Sequence, residues 1–152
     1  MKFLLNFVLK IRRLYWWVIR PQTHGVRALV FNKQGEILLV KHKYGEGWFL
    51  PGGKVKNNES PENGLKRELG EELGIATPMI GRILGTYTNI QEYKKDTITV
   101  YIVKIFTIKE KSHFEIQSKS FFSLENLPGD ISPGTKRRVL EYLGQKQITT
   151  DW

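Results

Sequence analysis

The first twenty residues set apolar and basic positions at helical spacing. Leu4, Val8, Ile11, Tyr15 and Val18 fall on one stripe of a 3.6-residue period. Lys2, Asn6, Lys10, Arg13 and Arg20 fall on another, with Trp17 intruding. The pattern predicts an amphipathic helix over 1–20, ended by Pro21. Beyond Pro21 the period changes. VRALVF (26–31) and EILLVKH (36–42) flank NKQG and predict a strand pair with a turn. YGEGWFLPGGKV (44–55) reads as a glycine-rich loop with a short extended piece at 48–50. Ser60 followed by Pro61 marks a helix start and Gly74 a stop, with Leu65, Leu69 and Leu73 as the apolar stripe between them. Runs rich in β-branched and aromatic residues at 82–90, 96–109 and 118–124 predict further strands. Ser132 and Pro133 open a second helix that runs to 143. A helix between strands, more strands and a closing helix predict an α/β chain, a mixed-sheet α+β sandwich.

Composition narrows this picture. With 152 residues, one domain over 21–152 behind the 1–20 helix is the natural organisation. The absence of cysteine excludes disulfides, thiolate zinc and cysteine nucleophiles, and it suits a reducing cytoplasm. The net charge of +9 is uneven: residues 1–20 carry five bases and no acid, so the remainder is only mildly basic. Asn6, Lys10, Arg12 and Arg13 interrupt the first apolar run, which argues against both a signal peptide and a spanning helix. Two readings of the segment stand. It packs on the domain or on a second subunit of a homodimer, or it lies peripherally on an anionic membrane, as basic residues beside Tyr and Trp favour.

The chemistry concentrates in ESPENGLKRELGEELGI (59–74 and Ile75). Glu68, Glu71 and Glu72 are spaced i, i+3, i+4 and share one helical face, where like charges repel unless bases or a cation offset them. Carboxylates without sulfur or imidazole suit Mg²⁺ or Mn²⁺ rather than Zn²⁺. Taken alone, three acids at this spacing also fit a solvated helix face. Gly64 stands in the helix interior, at a cost of up to about 1 kcal/mol. His24, His42 and His113 lack ligand spacing.

The run from Gly53 to Ile75 resembles the Nudix hydrolase signature, G-x5-E-x7-R-E-U-x-E-E-x-G-U with U apolar. Gly53, Glu59, Arg67, Glu68, Leu69, Glu71, Glu72, Gly74 and Ile75 fill it, behind a WFLPGG lead-in. The resemblance implies the Nudix fold, with the 1–20 helix as an addition, and hydrolysis of a nucleoside diphosphate linked to X by water attack at phosphorus. It implies Glu68, Glu71, Glu72 and the Gly52 carbonyl as ligands of Mg²⁺ or Mn²⁺, with Glu59 as a nearer or outer-shell partner. Glu68 is a candidate base oriented by Arg67. Many members add a late glutamate, and Glu115 has that placement, as a metal ligand or catalytic group. Trp48, Gly53 and Tyr93 are the candidate substrate contacts. The expected substrate is a small nucleotide, either a nucleoside triphosphate or a nucleotide sugar such as ADP-ribose. Ile90 and Gln91 stand where ADP-ribose-type members often carry proline. The rival readings are an RNA 5′-end hydrolase and a non-catalytic nucleotide-sensing or membrane-associated module. The first would use Lys94–Lys95, Lys109 with Lys111, and Lys136–Arg138 as an RNA track. The second is disfavoured by the complete set of glutamates.

Overall fold

The computed structural model describes residues 10–12, 14–15, 17–19, 21–91, 94–104, 107–109 and 113–152. Five strands form one mixed sheet in the order β3-β4-β1-β2-β5. These are β1 (Gln22–Phe31), β2 (Ile37–His42), β3 (Met79–Gln91), β4 (Lys94–Lys104) and β5 (Ile116–Phe122). The central pair β1 and β4 is parallel, with Gln22 opposite Lys95 and Phe31 opposite Lys104. The other pairings are antiparallel. Strands predicted at 26–31, 82–90 and 118–124 thus begin two to four residues earlier. The extended piece at 48–50 is present as bridges from Phe49 to Val40 and from Trp48 to Ile131.

The alternation of β1 decides the layers. Val26, Ala28 and Val30 point to one face and pack with Leu65, Leu69 and Leu73 of helix α1 (Pro61–Leu73). Leu29 and Phe31 point to the other face, where Val139 and Tyr142 of helix α2 (Pro133–Tyr142) cover them. The sheet is therefore buried on both sides. Its central strands read as continuous apolar runs for that reason. At the predicted caps, the Ser60 and Ser132 side chains accept from the N–H groups of Asn63 and Thr135, and Gly74 ends α1 at φ 71°.

On the second face a buried ion pair joins Arg138 to Glu141 at 2.9 Å. Tyr87 donates to Glu141 at 2.7 Å, and the Arg138 guanidinium lies 3.7 Å from the Tyr87 ring centre. At the N-terminal end, the described positions among 10–19 are helical, as predicted, while 1–9, 13, 16 and 20 lie outside the described residues. Ile11, Leu14, Tyr15, Trp17, Val18 and Ile19 are each at least half exposed, so the described part of the apolar stripe is uncovered. Among the described residues no helix is long and apolar enough to cross a membrane.

Candidate active site

Helix α1 and the 51–55 segment meet along β1. Val26 N–H donates to Gly53 O at 2.9 Å and Ala28 N–H to Pro51 O at 3.0 Å, so the glycines run beside the strand as a ribbon. Gly52 is required here, and a side chain at Gly53 would displace the Glu68 carboxylate. A Cβ on Gly52 would stand 2.2 Å from Val26 O, at a φ of 134°. One on Gly53 would stand 2.3 Å from the Glu68 carboxyl carbon. The ribbon can pass between the strand and the acidic helix face only without side chains.

Arg67 organises the acids. Its Nε and one terminal nitrogen donate to the two oxygens of Glu59, at 2.9 and 3.0 Å. The other terminal nitrogen reaches Glu68 Oε1 at 2.8 Å and Glu71 Oε2 at 3.3 Å. Lys54 O takes a further bond at 3.0 Å. Bidentate pairing of this kind is the geometry a guanidinium fork provides. Hydrogen bonds from Arg67, joined by the Lys56 N–H, hold the Glu59 carboxyl down at about 2, and Glu59 in turn raises Arg67. The sequence reading of Gly64 as a cost changes in this setting. A Cβ there would stand 3.1 Å from Glu59 Oε2, so the glycine leaves room for the Glu59–Arg67 pair.

Glu72 differs from its neighbours. It is buried and accepts from Gly52 N–H at 3.2 Å through Oε2. Burial pushes its carboxyl up to about 7, with Glu68 and Glu115 adding like charge. Glu115 lies on the loop before β5 with an exposed side chain, and its main-chain O accepts from Lys43 N–H at 2.9 Å. It is close enough to Glu72 for its charge to be felt there. Trp48 packs edge-on against Phe122 at 4.9 Å, and its ring is taken up by that contact and by Lys41 Nζ at 5.4 Å. Tyr93 lies outside the described residues, as does Lys111. Of the basic track, Arg138 is withdrawn. It is fully buried and paired with Glu141, and cannot meet a phosphate chain at the surface.

Arg27 is the residue the sequence reading missed. It sits in an apolar strand pattern, with Ala28 and Leu29 following, and nothing local marks it. Burial lowers its pKa, while the charges of Glu72 and Glu68 draw it back up. It also lowers His42, after burial the largest influence on that imidazole.

The donor set fits a hard divalent cation. Glu68, Glu71 and Glu72 each have one oxygen in a hydrogen bond and one that accepts none among the described residues. Glu59, by contrast, has both oxygens engaged. Pro51 O and Gly53 O are used by β1, while the carbonyl between them, Gly52 O, accepts no hydrogen bond among the described residues. As they stand, the acids do not converge into a cage among the described residues, because Arg67 and Gly52 N–H hold them.

Comparison with known proteins gives a family match over most of the chain. The family model described as NUDIX domain matches residues 21–143. An RNA pyrophosphohydrolase of Hydrogenovibrio crunogenus is 38% identical over 61 residues, 40% of this chain and 36% of that protein. An ADP-ribose pyrophosphatase of Methanocaldococcus jannaschii is 32% identical over 104 residues, 65% of this chain and 61% of that protein. The matches therefore span less than two thirds of the length of these curated relatives. The solved structure of a MutT protein from Methanosarcina mazei Go1 aligns with a TM-score of 0.68 at 30% identity, covering 82% of this chain and 94% of that one.

Proposed function

The chain belongs to the Nudix hydrolase family, and from that premise we propose that it is a Mg²⁺- or Mn²⁺-dependent pyrophosphohydrolase. It cleaves the diphosphate linkage of a small nucleotide by attack of water at phosphorus. One observation carries this: three glutamates of one helical face each keep an oxygen, and Gly52 its carbonyl, that accept no hydrogen bond among the described residues, while Glu59 and Arg67 are fully engaged in holding that face. When bound, the cation neutralises the diphosphate and lowers the pKa of a water.

The chain's own groups have distinct tasks. Glu71 and Glu72, with Gly52 O, hold the cation. Glu59 is a buttress behind Arg67, since neither of its oxygens is free. Glu68, fixed by Arg67 at 2.8 Å, is oriented to take a proton from water through its free oxygen. Glu115, whose charge is felt at Glu72, would be a second acid for the cation or the proton. Gly53 brings main chain, rather than a side chain, up to the substrate.

The substrate reading is a nucleoside diphosphate linked to X of the ADP-ribose type, or a nucleoside triphosphate. The relative with the broader match among the two described is named for ADP-ribose. The RNA 5′-end reading loses one of its bases, since Arg138 is buried in an ion pair. The test is a nucleotide panel with Mg²⁺ or Mn²⁺, both products resolved by mass. Turnover of an ADP-ribose-type or nucleoside triphosphate substrate is expected. No turnover of any member, or turnover that survives excess chelator, overturns the reading.

A further inference from the structure

Three arginines of this domain have their guanidinium groups drawn into the fold, and they differ in what they meet. Arg67 is surrounded by Glu59, Glu68, Glu71 and Lys54 O. Arg138 is held by Glu141, by Asp151 O and by the Tyr87 ring. Among the described residues Arg27 has one acceptor, the carbonyl of its own neighbour Val26 at 3.1 Å. No carboxylate among the described residues is within ion-pair distance of it. None of the Arg27 nitrogens is both buried and without a partner, so the donors that Val26 O leaves unused are open to solvent and available to an anion.

Its position says which anion. Val26 and Ala28, on either side of it, bond to Gly53 O and Pro51 O, so Arg27 lies alongside the glycine ribbon. A Cβ on Gly52 would be 3.0 Å from the Arg27 Cα. Strand alternation points the Arg27 side chain to the face opposite Val26 and Ala28, while Glu68 and Glu72 come from the helix on their face. The Arg27 backbone and the carboxylates of Glu68 and Glu72 thus all lie beside one ribbon. Both acids act electrostatically on Arg27 without touching it.

We propose that Arg27 is a substrate-positioning residue that takes the phosphoryl group of the diphosphate not held by the glutamate-bound cation. The inference rests on the hydrolase reading above. A guanidinium fork matches two phosphate oxygens, and a planar fork beside a cation site fixes the diphosphate at both ends. The donors that Val26 O leaves unused are available to a phosphate.

The test uses the full chain and methylenediphosphonate, a diphosphate that cannot be hydrolysed. Arg27→Met should weaken its binding in the presence of Mg²⁺ by about 10- to 100-fold, the range for a lost charged hydrogen-bonded contact. Arg27→Lys should fall between the two, because it restores charge but not the fork. For any nucleotide that the wild type turns over, KM should rise more than kcat falls. Mn²⁺ affinity without diphosphonate, read by electron paramagnetic resonance, should stay equal or increase, because a positive charge near the glutamates has been removed. Diphosphonate binding within twofold of wild type overturns the inference. So does a parallel loss of Mn²⁺ affinity, which would mean that Arg27 acts by holding the glutamates. If Arg27→Met does not fold, Arg27→Lys decides on the same readings. A wild type that turns over no nucleotide fails the hydrolase reading. A wild type that hydrolyses while Arg27→Met binds diphosphonate normally fails this inference alone.

Discussion

Glu72 offers the sharpest test of the site because its burial makes stability report on charge. Without a cation its carboxyl stands at about 7 instead of 4.5, mainly through burial. The folded protein therefore holds a proton that the unfolded chain releases. A penalty that is absent below about pH 4.5 builds as pH rises and is complete once pH passes the folded value of about 7. At about 1.4 kcal/mol per pH unit, the rise from 4.5 to about 7 corresponds to an upper figure of about 3 kcal/mol. For a domain of this size that is roughly 6–12 °C in Tm. Glu72→Gln keeps the shape of the protonated acid and can still accept from Gly52 N–H, yet it cannot ionise. In excess chelator the two proteins should lie closest at pH 5, where the penalty has only begun. At pH 8 the Gln variant should be the more stable by up to that amount. Mg²⁺ should then raise the wild type at pH 8 and leave the variant nearly unmoved, and hydrolysis by the variant should collapse although it folds. His42 titrates in the opposite sense, its lowered pKa losing stability as pH falls through the unfolded value, but it is common to both proteins and drops out of the difference. Thermal melts of the pair at pH 5, 6, 7 and 8, with chelator and with Mg²⁺, decide the matter. Parallel pH curves in chelator, or full hydrolysis by Glu72→Gln, would refute the reasoning.

Three further expectations follow from other elements. Glu115→Gln should lower kcat about a hundredfold if the loop acid serves the cation or the proton; a change of less than twofold would make it a surface acid and leave the base on α1. Gly64→Ala would ordinarily stabilise a helix by up to about 1 kcal/mol, but its Cβ presses on Glu59 Oε2 at 3.1 Å, so no gain in Tm is expected, and a clear rise would show that the Glu59–Arg67 pair needs no such room. The uncovered stripe of Ile11, Leu14, Tyr15, Val18 and Ile19 beside an acid-free basic segment favours lipid, so the full chain should co-sediment with anionic vesicles at low salt and a chain lacking 1–20 should not. No vesicle binding, with a lower Tm on truncation, would leave packing on the domain or a second subunit instead.

How the chain divides into elements was legible from local chemistry. Ser60 with Pro61, Gly74, and Ser132 with Pro133 act within a few residues of themselves, so the helix boundaries they predict appear in the structure. The spacing of Glu68, Glu71 and Glu72 puts them on one helical face whatever else the fold does, and the glycine and acid pattern around them marked the site. The starts of β1, β3 and β5 were less legible, because pairing extends a strand beyond its apolar run wherever a partner supplies hydrogen bonds.

What no local pattern contains is which distant groups meet. Lys136 and Arg138 are neighbours in sequence and look alike there, but Glu141 and the Tyr87 ring draw Arg138 into the interior while Lys136 stays at the surface. Gly64 looks like a weak point in a helix until Glu59 is seen folded against it. Glu72 is one acid among three by sequence, and becomes the perturbed one because its turn of α1 faces Gly52 and the interior. Arg27 carries no signature, since one polar residue in a strand is ordinary. Its character comes from the parallel pairing of β1 with β4 and from the ribbon at 51–53, which together bring a strand residue to within the field of two helix acids some forty positions away. Burial and long-range charge depend on what surrounds a group in space, and only the closed tertiary structure decides that.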